Sequence, residues 1–228
     1  MLGVLLGVAG FCALVLWNLP APYNPFAPLE LSHEPTFATP LKQRWIAGDP
    51  AACRAVMEKE AAREDGISYA HDAIISKQEG CGALHALRLL QGKLNYGGGV
   101  RLACPAMVSL LLWERHEVMP AAEEVLSSPV NRVLHYGTYS CRNVNNAEEG
   151  RRSKHASAAA IDVAGFELKD GRRITVLEDW GKETPEGEFL ARVHDGACGL
   201  FGGVLGPDYN DRHKDHFHFE LSGWGYCR

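Results

Sequence analysis

Two stretches near the C-terminus carry the clearest alternation of polar and apolar positions. In Ala160-Ile161-Asp162-Val163-Ala164 small and β-branched residues flank one acid. A buried strand there points Ile161 and Val163 one way and Asp162 the other. In His216-Phe217-His218-Phe219-Glu220-Leu221 the polar side chains share one face, and Phe217, Phe219 and Leu221 share the other. Both imidazoles of this second strand therefore project the same way. Antiparallel pairing of the two strands brings Asp162 and His218 together across one face.

The rest of the chain supplies helices and turns. Residues 51–64 read as a helix, with Asp49 or Pro50 near its start and Gly66 beyond its end. Residues 67–90 are less regular, with a short hairpin expected around Gly80-Cys81-Gly82. Met107, Val108, Leu111 and Leu112 form the apolar face of a helix over 104–116, with Pro105 tolerated in its first turn. A second helix is expected over 121–126, ended by Ser127-Ser128-Pro129. Residues 130–139 read as a strand leading to Arg142, and Lys169-Asp170-Gly171 as a hairpin turn from the Asp162 strand to 174–176. Residues 188–198 read as a helix, and the glycine-rich 199–209 as a loop. The predicted class is α+β: a small antiparallel sheet bearing a metal site, covered by helices and stabilised by disulfides.

The N-terminus is different in kind. Residues 2–19 are apolar and uncharged apart from Asn18. Eighteen residues at ~1.5 Å each approach the ~30 Å of a bilayer core. The stretch lacks a basic leader and a small-x-small cleavage site, which favours a signal anchor over a cleaved signal peptide or a buried helix. Prolines at 20, 22, 25, 28, 35 and 40 then predict an extended linker over 20–40. The remaining 41–228 forms one domain, with an N-terminal lobe over 41–103 and the metal-site lobe over 104–228. This organisation places the domain in a bacterial periplasm, on a single-pass inner-membrane anchor.

Cysteine count agrees with export. Cys12 lies inside the apolar stretch, and six others follow it: Cys53, Cys81, Cys104, Cys141, Cys198 and Cys227. Six cysteines allow fifteen pairings. Pairing between chain neighbours (Cys53–Cys81, Cys104–Cys141, Cys198–Cys227) keeps each bridge local and is the preferred expectation; free thiols in a cytosolic metal-binding protein are the alternative. The net charge of −5 and the lack of a basic stripe argue against nucleic-acid binding.

Candidate chemistry converges on the two strands. A hydrolytic zinc site takes three protein ligands and leaves a fourth place open to water. His155, Asp162 and His218 are the candidate ligands for one zinc ion per chain, and His213 is a candidate supporting residue beside them. A lone His-x-His on a strand is more often a surface pair; His155 and Asp162 are what change that reading. Glu220, on the His218 face, either supports the site or is solvated. Asn146 is a weaker candidate for positioning substrate.

The run Ser153-Lys154-His155-Ala156-Ser157-Ala158-Ala159-Ala160-Ile161-Asp162 resembles the Ser-x-His-x-x-Gly-x-Ala-x-Asp motif of D-alanyl-D-alanine carboxypeptidases and related peptidoglycan peptidases. Ala158 stands where that motif has glycine. The spacing of His213, His216 and His218 is similar to that of penicillin-insensitive murein endopeptidases. From Trp45 to Arg228 the chain also resembles the bacterial extensin-like C-terminal domain family, carried by Gly137-Thr138-Tyr139-Ser140-Cys141-Arg142-Asn143, Leu205-Gly206-Pro207-Asp208-Tyr209-Asn210 and the Cys227-Arg228 ending. The proline-rich repeat of plant extensins does not occur in it.

The peptidase resemblance implies His155, Asp162 and His218 as zinc ligands. It implies His216 as the proton-handling group, with Asp215 as the rival because the carboxypeptidases use a glutamate at that place. It implies that Arg142 polarises the scissile carbonyl or binds a substrate carboxylate, a task suited to a charged, forked guanidinium; a surface arginine or a structural ion pair is the plainer role. The expected function is a zinc-dependent endopeptidase cutting peptidoglycan stem-peptide cross-links. A non-catalytic cell-wall binding or scaffolding module, or a D,D- or L,D-carboxypeptidase, is the alternative.

Overall fold

The computed structural model describes residues 15–222 and 225–228. Helices α1 (Thr39–Gly48) and α2 (Pro50–Ala61) meet at Asp49, whose carboxylate accepts hydrogen bonds from the amides of Ala51 and Ala52 and so caps α2. Pro50 occupies the first turn, where no amide hydrogen is missed. Strands β1 (Ser68–His71), β2 (Ala86–Gln91) and β3 (Arg101–Ala103) make a three-stranded antiparallel sheet. The expected turn at Gly80-Cys81-Gly82 lies in the β1–β2 connection, closed by a bridge between Ile74 and Ala83.

The two helices expected over 104–126 are one helical run. Helix α3 (Cys104–Trp113) continues through a π turn at Glu114–Val118, an α turn at Met119–Ala121 and a second π turn at Ala122–Leu126. Pro120 accounts for the change of pitch. It has no amide hydrogen for an α-helical bond, and its ring crowds the carbonyl four residues back, so wider turns carry the helix past it. Ser127, left-handed at φ 52°, ends the run.

The main sheet has six strands: β4 (Val130–Gly137), β5 (Ala160–Leu168), β6 (Arg173–Thr175), β7 (Gly203–Leu205), β8 (Phe217–Glu220) and β9 (Tyr226–Cys227). Their order is β4-β5-β8-β7-β9, with β6 paired to β5, and every pairing is antiparallel except β7 with β9. The class is α+β, as the pattern predicts. Strand β7 falls inside the expected glycine-rich loop. A side chain on Gly202 would collide with the backbone of Ser222, and one on Gly203 with the side chain of Glu220, so glycine here allows close strand approach.

Helices α3 and α4 (Pro185–Cys198) cover one face of this sheet, α4 being capped by the Thr184 hydroxyl. Trp113 is fully buried beneath them and donates from its indole to the Val193 carbonyl at 2.7 Å. Phe166 and Phe219 lie 6.0 and 5.2 Å from its ring. Along β5, Ile161, Val163, Phe166 and Leu168 enter this core, while Asp162 and Ala164 remain partly exposed on the other face.

Three disulfides brace the domain, in a different pattern from the preferred one. Cys198–Cys227 joins chain neighbours, but Cys53 pairs with Cys104 and Cys81 with Cys141. The core decides this: α2 packs on α3, which carries Cys53 to Cys104. The proline-rich segment is built of turns and bends rather than an extended tether, and it lends Leu29 and Leu31 to the core. Lys42 Nζ donates to the Ala21 carbonyl at 2.6 Å, and the Thr36 hydroxyl to that of Pro22 at 2.7 Å. No helix among the described residues is long and apolar enough to cross a membrane. Most of the expected span over 2–19 lies outside the described residues.

Candidate metal centre

Three elements bring His155, Asp162 and His218 together. Asp162 on β5 stands directly opposite His218 on β8 in the antiparallel register. His155 comes from a single 3-10 turn, Lys154–Ser157, that leads into β5. The Ser153 hydroxyl accepts from the His155 amide at 3.3 Å and caps this turn. Ala158 leaves the turn in the left-handed region, at φ 52°. This is the place where the resembling motif has glycine, and alanine there stores strain on the order of 1 kcal/mol.

The donor atoms form a tight set. His155 Nε2 lies 3.1 Å from Asp162 Oδ2 and 3.2 Å from His218 Nδ1, and His218 Nδ1 lies 2.8 Å from Asp162 Oδ1. Tetrahedral zinc with ligands at ~2.0–2.1 Å needs donors ~3.3 Å apart, so modest spreading accommodates the ion. Each imidazole also has its outer nitrogen engaged. His155 Nδ1 lies 3.3 Å from the Thr138 carbonyl, an acceptor that assigns the proton to Nδ1 and leaves Nε2 for a metal. His218 Nε2 lies 3.1 Å from Glu220 Oε2, which in the same way frees Nδ1. An acceptor behind each ligating imidazole fixes its tautomer and raises its basicity. The donor chemistry and the orienting shell both fit zinc.

The electrostatics follow from this packing. Burial opposes charge on Asp162, but hydrogen bonds from His155 and His218 prevail and hold its carboxyl well below the usual range. Burial likewise opposes charge on His218, yet Asp162 and Glu220 raise it to about 9.

The other candidate residues surround this set. His216 Nε2 lies 3.6 Å from Asp162 Oδ1, and its Nδ1 lies 2.9 Å from Asp215 Oδ1. Asp215 accepts from the Tyr136 hydroxyl at 3.3 Å through its other oxygen. Burial raises the Asp215 carboxyl, and its bond with His216 more than reverses this, so the net shift is downward. His213 sits with its ring 5.3 Å from that of His216 and 5.9 Å from that of His218, its Nδ1 bonded to Asn210 at 2.9 Å. Burial, and then the charges of His216 and His218, lower it to about 4. It lines the site, whereas Thr138 and Glu220 are what orient the two imidazoles.

Arg142 and Asn146 line the same cleft of about 730 Å³. The Arg142 guanidinium has no hydrogen-bond or ion-pair partner among the described residues, while its carbonyl accepts from the Ser153 amide at 3.0 Å. Sequence reasoning missed Thr138, whose part is played by its backbone, and Tyr136, which lay hidden in an apolar strand pattern. It also missed Arg151, Arg152 and Arg212 as cleft residues. The run Arg151-Arg152-Ser153-Lys154, directly ahead of a ligand, was the available signal.

Fold and site together define a disulfide-braced α+β domain with a two-histidine, one-aspartate centre at the floor of an open cleft. The chain belongs to the family described as extensin-like protein C-terminus, which it matches over residues 51–228. No curated protein and no solved structure matches it.

Proposed function

We propose that this domain is a zinc-dependent peptidase of peptidoglycan stem peptides, working as an endopeptidase on their cross-links. The observation that carries the reading is the convergence of His155 Nε2, an Asp162 oxygen and His218 Nδ1 on one point of an open cleft, with His216 held beside them. Zinc bound by these residues would polarise a peptide carbonyl and make water a nucleophile near neutral pH.

The chain's own residues divide the remaining work. His216 is the proton-handling group, because its Nε2 faces the ligand set while its Nδ1 is engaged. Asp215 is the positioning residue behind it: both its oxygens are occupied, by His216 and Tyr136. That arrangement favours His216 over Asp215 as the proton-handling group. Arg142, unpaired at the cleft wall, would steady the carbonyl oxygen as charge develops on it.

Export and membrane attachment belong to the same proposal. Three disulfides suit an oxidising periplasm. The apolar residues 2–19 would anchor the chain, and Trp17 near their end and Tyr23, Phe26, Phe37 and Trp45 after them lie exposed, as aromatic residues do at a bilayer interface.

The test is a mass-spectrometric profile of muropeptides before and after treating sacculi with the zinc-loaded protein. Loss of cross-linked species is the expected result. His216→Ala should keep zinc and fold yet cleave ~10²–10⁴-fold more slowly, the usual contribution of a general base. Sacculi bound but left uncut by the unmodified protein would transfer the domain to the class of cell-wall binding modules.

A further inference from the structure

The cleft above the metal centre carries an uncompensated positive charge in an acidic chain. Arg142, Arg151, Arg152, Lys154 and Arg212 all line it. The net charge of the whole chain is nonetheless −5. None of these five forms an ion pair among the described residues. Several other guanidinium groups are matched, Arg88 and Arg101 on Asp72, Arg115 on Glu60, Arg172 on Asp170 and Glu186, and the arginines without an ion pair outside the cleft (Arg44, Arg54, Arg173, Arg228) do not gather in one place with the five.

The side chains of Arg152 and Arg212 are held in place by neutral groups, and the backbone that carries Arg142 and Arg151 is braced. Residues 142–144 and 151–153 pair as the two sides of a small arm, with Asn143 bridged to Arg152 and the Val144 amide bonded to the Arg151 carbonyl. Cys81–Cys141 pins the base of this arm. Arg152 donates to the Glu79 carbonyl and to Asn143 Oδ1, and Arg212 donates across the cleft to the Asn145 carbonyl at 3.2 Å. The two carboxylates lining the cleft, Asp162 and Glu220, are bonded to the histidines. Glu148, Glu149 and Asp211 lie nearby in sequence and form no ion pair. Five clustered cations, none in an ion pair among the described residues and only Lys154 near enough to a carboxylate to lower the Glu220 carboxyl, repel one another, a cost that an anionic ligand relieves.

From this we infer that the cleft selects an acidic peptide, one presenting at least two free carboxylates around the segment laid over the metal centre. The inference rests on the peptidase reading for the position of that segment, and it adds the chemistry by which substrate is chosen. Arg151 is the principal carboxylate contact, since its guanidinium is engaged with no other described group, and Arg142, placed beside the carbonyl oxygen, adds its charge to the same field. Arg152 and Arg212, partly engaged, add to the field and steer the ligand.

The experiment measures equilibrium binding to the full-length, zinc-loaded His216→Ala protein in detergent. One probe is a stem tripeptide with its side-chain carboxylates free, and the other is the same peptide with them amidated. The free acid should bind at least tenfold more tightly, and its affinity should fall steeply with ionic strength. The double variant Arg142→Gln/Arg151→Gln, on the same background, should lose most of that preference. Equal binding of acid and amide, or a preference that survives the double variant, overturns the inference. Tighter binding of single-stranded oligodeoxythymidine than of the acidic peptide also overturns it and assigns the cleft to nucleic acid. Acid-selective binding in a protein whose unmodified form cuts no sacculi would refute the peptidase reading and leave this one standing.

Discussion

Two groups of metal-competent side chains lie among the described residues, and they differ in how their donor atoms are oriented. His155, Asp162 and His218 form the first; His194, Asp195, Cys198 and Cys227 form the second, with donor atoms gathered as closely. In the second group the two sulfurs are spent on each other in a disulfide. His194 lies in the core, its ring about 5 Å from those of Trp180 and Phe217, with Nε2 buried and unpartnered. In the first group each imidazole has an acceptor behind it, and its free nitrogen points toward a shared carboxylate. Proximity of donors is thus a weak criterion. The groups that orient the donors, and the space open in front of them, separate a site from a coincidence.

The largest expected effect separates the groups directly. His155→Ala or His218→Ala should weaken zinc binding by more than ~10²-fold, beyond what loss of a supporting residue costs. Cys198→Ser with Cys227→Ser should leave zinc stoichiometry at one per chain while lowering stability by ~2–4 kcal/mol, through loss of a cross-link. Isothermal titration of zinc and chemical unfolding of each variant measure both quantities. The reverse pattern would exchange the roles of the two groups.

A smaller effect tests the orienting shell. Glu220→Gln keeps the shape of the side chain but removes the carboxylate behind His218, and should weaken zinc ~10–100-fold with little change of fold. Unchanged affinity would make Glu220 a bystander. The smallest effect belongs to the buried imidazole of the second group. His194→Phe removes the unpartnered Nε2, gives up only the 3.3 Å contact of Nδ1 with exposed Asp195, and keeps an aromatic body among aromatic neighbours. Stability should stay equal or rise by up to about 1 kcal/mol, with zinc affinity unaltered.

The same contrast shows how much the sequence could tell. The alternation in 160–164 and 216–221 is a local property with period two, so the faces of β5 and β8 were legible, and the pairing of Asp162 with His218 followed from them. Cysteine partners were not legible, because the Cys53–Cys104 bridge depends on α2 packing against α3. Strand β7 escaped notice because Gly203-Val204-Leu205 is too short to show a period, and its glycines look like loop punctuation. The departure at Ala158 was visible as a residue type, whereas its left-handed backbone is a property of the fold. The charge of the cleft was hidden for a similar reason: whether an arginine has a partner depends on which chain segments meet.

Anomalous diffraction at the zinc absorption edge, from crystals of the zinc-loaded protein, tests the central claim most directly. One strong peak per chain between His155 Nε2, Asp162 and His218 Nδ1 is the expected result. A peak at His194 and Asp195, or none at the His155 site in fully loaded protein, would contradict it.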